Sequence, residues 1–212
     1  MKSPNKFKET WSIRIYTGSS PLNLQPDNTD KTPLITRHDV TDIPASFVAD
    51  PFMVMEDDVW YLFMEIKNIE TGLGEIGLIT STDGIKWEYQ QVVLKEEYHL
   101  SYPYIFKSEG EYYMIPETLN AHAIRMYKAT RFPFDWKLEA SLAEGQFADP
   151  TLIRHDKHWW LFAASRPYKH DTLNLFYADK LTGPYVEHPK SPIIENDKRR
   201  ARPAGRINKK NG

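Results

Sequence analysis

The chain has 212 residues, with 27 lysines and arginines against 29 aspartates and glutamates and a formal net charge of -2. That balance supplies no field for holding nucleic acid or an anionic membrane, and the length lets about two thirds of the surface be buried in one sizeable core. The absence of cysteine excludes a disulfide framework, thiolate zinc sites and thiol catalysis. The N-terminal run MKSPNKFKETW is too polar for a secretory signal, and no apolar run reaches the ~18 residues of a membrane span, so a cytoplasmic protein is expected.

Aromatic residues make up 13% of the chain, which also carries 15 prolines. Apolar runs are short, rich in Val, Ile, Tyr, Phe and Trp, and broken by Gly, Pro, Asp or Asn, which reads as all-β. In chain order, residues 1–42 are expected to hold one strand, WSIRIY from Trp11 to Tyr16, and then a loop from Gly18 to Asp42, rich in Pro, Asn, Asp, Ser and Thr. A repeat follows, anchored on Pro51, Pro103, Pro150 and Pro203 at spacings of 52, 47 and 53 residues. An aromatic pair stands in the same phase after the first three prolines: Trp60-Tyr61, Tyr112-Tyr113 and Trp159-Trp160. Each unit opens with a hairpin, turning at Glu56-Asp57-Asp58, Ser108-Glu109-Gly110 or His155-Asp156-Lys157, and two further strands follow it. Unit one has EIGLIT and KWEYQQVVL, unit two AIRMYKA and DWKLEASL, and unit three LNLFYAD and YVEH.

Four antiparallel strands per repeat of about 50 residues is the pattern of a β-propeller blade, which buries its faces on neighbouring blades. The units span 43–99, 100–146 and 147–197, and 198–212 starts a fourth. Propellers close with roughly 4 to 8 blades, so the reading is an incomplete, truncated propeller of three full blades and the start of a fourth. Its open edge, including the segment from Pro203 to Ile207, should be loosely held and should invite self-association.

The innermost strand of each blade starts at one mouth of the channel. Just before the anchoring prolines stand Asp50, Tyr102, Asp149 and Arg202. Constant-sum pairing across each hairpin sets Asp50 opposite Glu65, Tyr102 opposite Glu117 and Asp149 opposite Ala164, with β-carbons about 5 Å apart. Four carboxylates are thus expected at one rim, where they raise one another's pKa and can serve as general acid and base. Glycoside hydrolysis uses such a pair at separations of about 5 to 9.5 Å.

The Asp-Pro at the head of an inner strand and the second blade's Tyr-Pro resemble the five-bladed propellers of glycoside hydrolase family 43. More closely, FVADPFMVMEDDVWYLFMEIKN, GEIGLITSTDGIKW, YHLSYPYIF, YYMIPE, FPFDWKLE and RPAGRI resemble the N-terminal propeller domain of plant glucosamine inositolphosphorylceramide transferases and its bacterial relatives, from about Trp11 to Ile207. In those plant proteins the transferase chemistry is implied to lie in a separate C-terminal domain. The family 43 resemblance implies a general base at Asp50 and a positioning carboxylate at Asp149. It also implies a general-acid glutamate where this chain has Arg202. An arginine stays protonated and cannot serve as the acid, so Glu117 is the substitute acid and Glu65 the runner-up.

His99, ahead of the second inner strand, is placed to bind a sugar hydroxyl or assist proton transfer, with a surface loop histidine as the plainer reading, and Glu65, Tyr102 and Arg202 complete the substrate-binding set. His155 and His158 flank a turn at the other end of the blade and read as solvated. Trp60, Trp159 and Trp160 read as core between blades. Lys198, Arg199, Arg200, Arg202 and Arg206 form a basic cluster able to meet an anionic group, with a solvated loop as the plainer reading. No phosphate loop, nucleophile elbow or zinc signature is present, so no metal or cofactor is expected. The expectation is a carbohydrate-active, glycosidase-like propeller acting on a glycan or glycoconjugate, with a non-catalytic glycan-binding module or an inactive truncated product as the alternatives.

Overall fold

The computed structural model describes residues 11–20, 22–26, 34–165 and 168–207. The described residues form fourteen strands: β1 (Tyr16–Ser20), β2 (Asn23–Pro26), β3 (Ala45–Glu56), β4 (Val59–Asn68), β5 (Gly74–Ser81), β6 (Glu88–Leu94), β7 (Ser101–Ser108), β8 (Glu111–Glu117), β9 (Ala123–Arg131), β10 (Asp135–Glu144), β11 (Ala148–His155), β12 (His158–Ser165), β13 (Thr172–Ala178) and β14 (Val186–Glu187). They form three four-stranded antiparallel meanders, β3–β6, β7–β10 and β11–β14, and a separate two-stranded hairpin, β1–β2. These are three propeller blades standing side by side. Among the described residues no helix is long and apolar enough to cross a membrane.

Local chemistry explains the meanders. Asp57 and Asp58 both take positive φ (48° and 60°), as do Glu109 and Gly110 (52° and 84°), the conformation that lets a two-residue turn match the twist of its strands. Alternation along β4 then divides its side chains between two cores. Phe63 faces the second blade, its ring against Phe132 and Trp136 in the core that includes Ile105 and Met114, while Leu62, Met64 and Ile66 face the other way, under Ile13, Ile35, Val40 and Ile43.

The N-terminal expectation needs correction. Trp11 to Ile15 is not a strand, and β1 begins only at Tyr16; Ile13 makes one isolated bridge to Ile35 and is buried as a plug on the first blade. The expected loop contains β2 and a short 3-10 helix, Arg37–Asp39, closed by a capping box in which Thr36 and Asp39 exchange hydrogen bonds. Residues 21 and 27–33 of that stretch lie outside the described residues, as do 208–212 of the expected fourth blade.

The repeat has one asymmetry. Two residues past the anchoring proline, Ile105 and Leu152 are 0% and 3% exposed, whereas Met53 is 37% exposed. At the next repeat position Tyr112 and Trp159 are buried, while Trp60 is only half-buried. In the second and third blades these positions lie in the core shared with the preceding blade, and among the described residues no sheet covers the corresponding face of the first. What lies there is an open groove of about 900 Å³ between blade and hairpin, lined by Met53, Trp60, Ile85, Trp87, Tyr16 and Leu24. The expectation of interblade core therefore holds for Trp159, which meets Phe106. It does not hold for Trp60, or for half-buried Trp160, which packs on Tyr177 and His188 instead.

Candidate functional site at the propeller mouth

Proline cannot donate to a sheet ladder, so each inner strand must break its pairing at Pro51, Pro103 or Pro150. All three do so in the same way. The register runs Ala49↔Glu65 then Phe52↔Phe63, Ser101↔Glu117 then Tyr104↔Ile115, and Ala148↔Ala164 then Thr151↔Phe162. One extra residue is accommodated on the inner strand each time, as a β-bulge. The residue before each proline takes left-handed backbone, with φ of 49° at Asp50, 47° at Tyr102 and 52° at Asp149. The constant-sum pairing is thereby corrected by one residue: Glu65, Glu117 and Ala164 face Ala49, Ser101 and Ala148. The three bulged side chains are freed from the ladder and gather at the mouth.

There they line a cleft of about 330 Å³ with Phe52, Arg202 and Gly205. Asp149 is 2% exposed, and Arg202 clasps it by a two-pronged contact: Nε donates to Oδ2, and Nη2 donates to Oδ1 at 2.8 Å. Arg202 arrives on a segment that is not strand but is held at several points. Buried Ala201 precedes it, the Gly205 N–H donates to the Tyr102 hydroxyl at 2.7 Å, and Arg206 Nη2 donates to the Ile105 carbonyl at 2.7 Å and the Met53 carbonyl at 3.3 Å. The segment expected to be loose is a strap across the inner strands of all three blades. Tyr102 Oη also lies 2.9 Å from Thr151 Oγ1, so its hydroxyl faces the protein and its ring lines the cleft.

The remaining carboxyls sit around this pair. Asp50 is pushed up to about 6, chiefly by burial and then by the charges of Glu65 and Asp149, with Arg202 and the Tyr102 N–H pulling the other way. Glu117 is pushed up to about 7, again chiefly by burial and then by Asp149, against the N–H of Asp149, which donates to its Oε2 at 3.2 Å, and against Arg202 and His99. Glu65, 5% exposed, faces His99 Nε2 at 3.3 Å. The structure thus brings Asp50, Tyr102, Asp149 and Arg202 into one cleft, joins Glu117 to it through Asp149, and places Glu65 and His99 beside it. Of the basic cluster, Arg202 and Arg206 belong to the strap, while Arg199 and Arg200 share Asp197 on the surface. His155 and His158 flank the far turn as expected. Among the described residues no group of His, Cys, Asp and Glu is arranged to hold a metal ion. Sequence reasoning missed Gly74 and Thr151; a glycine at a strand start, as in GLGEIG, signals close backbone approach.

The fold has known counterparts. An exo-β-1,3-galactanase from Phanerochaete chrysosporium superposes with a TM-score of 0.69 at 13% identity, covering 86% of this chain and 44% of that one. A Bacillus subtilis arabinanase gives 0.56 at 16% identity over 72% and 57%, and a thermostable family 43 glycoside hydrolase 0.58 at 13% over 68% and 55%. At such identities the likeness establishes the propeller fold. Sequence relatives are nearer: glucosamine inositolphosphorylceramide transferase 1 of Oryza sativa subsp. japonica is 37% identical over 218 residues, covering 93% of this chain and 29% of the relative. Its Arabidopsis thaliana namesake is 34% identical over 209 residues, covering 90% and 27%. The chain spans less than a third of the length of these curated relatives. Residues 5–212 match the family described as glucosamine inositolphosphorylceramide transferase 1, N-terminal, and the chain belongs to that family.

Proposed function

We propose that the mouth binds a sugar residue of a glycoconjugate, with the Asp149–Arg202 pair as its fixed recognition element. The observation that carries this reading is the clasped pair itself. It holds a planar set of donors rigidly at the cleft, in the place where a hydrolase of this fold would need a proton donor. The single Nε proton and one Nη2 proton of Arg202 meet Asp149, and among the described residues no hydrogen bond uses Nη1. The cleft is at the small end of ligand sites, suited to one sugar residue rather than a long chain. The relatives' name, joining a glucosamine to an inositolphosphorylceramide, supports a glycoconjugate ligand. Titration calorimetry against a panel of mono- and oligosaccharides should find saturable binding that falls at least about 10-fold in Arg202→Gln, the loss expected for a charged hydrogen-bonding group. Absence of saturable binding to any sugar would overturn the reading.

A second reading, hydrolysis, draws support from the two raised carboxyls. With Asp50 at about 6 and Glu117 at about 7, the base is ionised and the acid still holds its proton only in a narrow window between those values. Turnover would rise with pH through about 6, fall through about 7, and drop at least ~100-fold in Asp50→Asn. Unchanged turnover in that variant would exclude Asp50 as the base.

A further inference from the structure

The surroundings of Glu65 are built around a residue with no side chain. The Gly74 N–H donates to His99 Nδ1 at 2.8 Å, and the Gly74 carbonyl accepts from the Leu100 N–H at 2.9 Å. A β-carbon at position 74 would fall 2.2 Å from the Leu100 oxygen, 2.7 Å from His99 Cε1 and 3.0 Å from Glu65 Oε1, so only glycine allows this approach. An Nδ1 that accepts a hydrogen bond carries no proton, which puts the ring proton on Nε2, facing Glu65 Oε1 at 3.3 Å. Lys67 Nζ lies 3.4 Å from the same Nδ1 and flanks the ring. Both nitrogens of His99 are thus turned to the protein, and Glu65 is held on β4 opposite Ala49, next to the Asp50 bulge.

We propose that Gly74 and His99 are positioning residues for Glu65, holding its carboxylate beside Asp50 at the mouth. His99 then touches no ligand; it acts through Glu65, a role that no sugar-binding histidine would have. The proposal rests on the mouth being the sugar site only for its functional meaning, since the arrangement is testable without ligand. Glu65 is one of two carboxylates that raise Asp50, the other being Asp149, while Arg202 lowers it. The groups facing His99 are Glu65 and Lys67, with Glu117 within electrostatic reach. Loosening Glu65 should therefore lower the Asp50 midpoint.

The test is a carboxyl-carbon NMR titration of Asp50, with imidazole nitrogen shifts reporting the His99 tautomer, in the whole chain without ligand. Wild type should titrate Asp50 near 6 with the proton of His99 on Nε2. Glu65→Gln should lower the midpoint by at least about half a unit, a roughly threefold change in proton affinity. His99→Ala should lower it too, and His99→Gln, whose amide reaches the Nε2 position, should restore it. Gly74→Ala should scramble the tautomer; a melting curve distinguishes this from unfolding, and the position-99 variants carry the test if Gly74→Ala fails to fold. An Asp50 midpoint unmoved in Glu65→Gln and His99→Ala, or a wild-type ring protonated on Nδ1, would overturn the proposal. Failure to bind any sugar would leave these titrations unaffected and would count only against the reading of the mouth.

Discussion

Asp50, Tyr102 and Asp149 carry their side chains to the mouth only by holding a backbone conformation that L-residues rarely adopt, at φ of 49°, 47° and 52°. Such backbone costs on the order of 1–3 kcal/mol per residue, less for Asp and Asn, whose short polar side chains tolerate it. Asparagine is therefore the clean probe at position 50, because it keeps the backbone and removes the ionisable oxygen. Alanine removes the carboxylate and adds strain. We expect melting temperatures in the order Asp50→Gly, then Asp50→Asn, then Asp50→Ala, read by calorimetry; an Asp50→Ala variant as stable as Asp50→Gly would mean that the left-handed backbone carries no cost there.

At the scale of strands, the same repeat position has different energetic weight in different blades. Ile105 is fully buried and Met53 is 37% exposed. Truncating a buried side chain of that size costs about 2–5 kcal/mol, so urea unfolding should find such a loss in Ile105→Ala and under about 1 kcal/mol in Met53→Ala. Equal losses would show that the first blade's open face is covered in solution. The hairpins were legible in sequence because aromatic pairs recur in phase after each proline and turn residues separate them. The bulges were not, because a constant-sum register assumes equal residue counts on both strands, and the extra residue betrays itself only through the proline's missing N–H. Hairpin β1–β2 was illegible for a different reason. Its residues are all exposed and carry no apolar alternation, and the apolar run before it serves as the Ile13 plug instead.

For the whole molecule, Asp50 and Glu117 have folded-state pKa values raised to about 6 and about 7 from 3.8 and 4.5. A raised acid binds protons more tightly in the folded chain, so stability falls as pH rises from the ordinary carboxylate range through those values. The melting temperature should decline between about pH 5 and pH 7.5, and the double variant Asp50→Asn, Glu117→Gln should flatten that slope. A slope unchanged in the variant would place its origin elsewhere. The convergence of carboxyls at one mouth could be anticipated from repeat position, but the strap that completes the site could not. Arg202 stands at the repeat position before Pro203, but the residues that follow form no strand and take their places through individual contacts with the three sheets.

Those contacts differ in how they withstand sequence drift. Arg202 and Asp149 depend on each other's side chains and must change together. Arg206 grips the main-chain carbonyls of Met53 and Ile105, acceptors that every residue type supplies. The inner strands can therefore vary without breaking this tie, which is lost only through Arg206 itself. Genetic robustness is thus lopsided along a strap of a few residues: Arg202 relies on one carboxylate side chain, whereas the hydrogen-bond acceptors of Arg206 are main-chain atoms that no substitution removes.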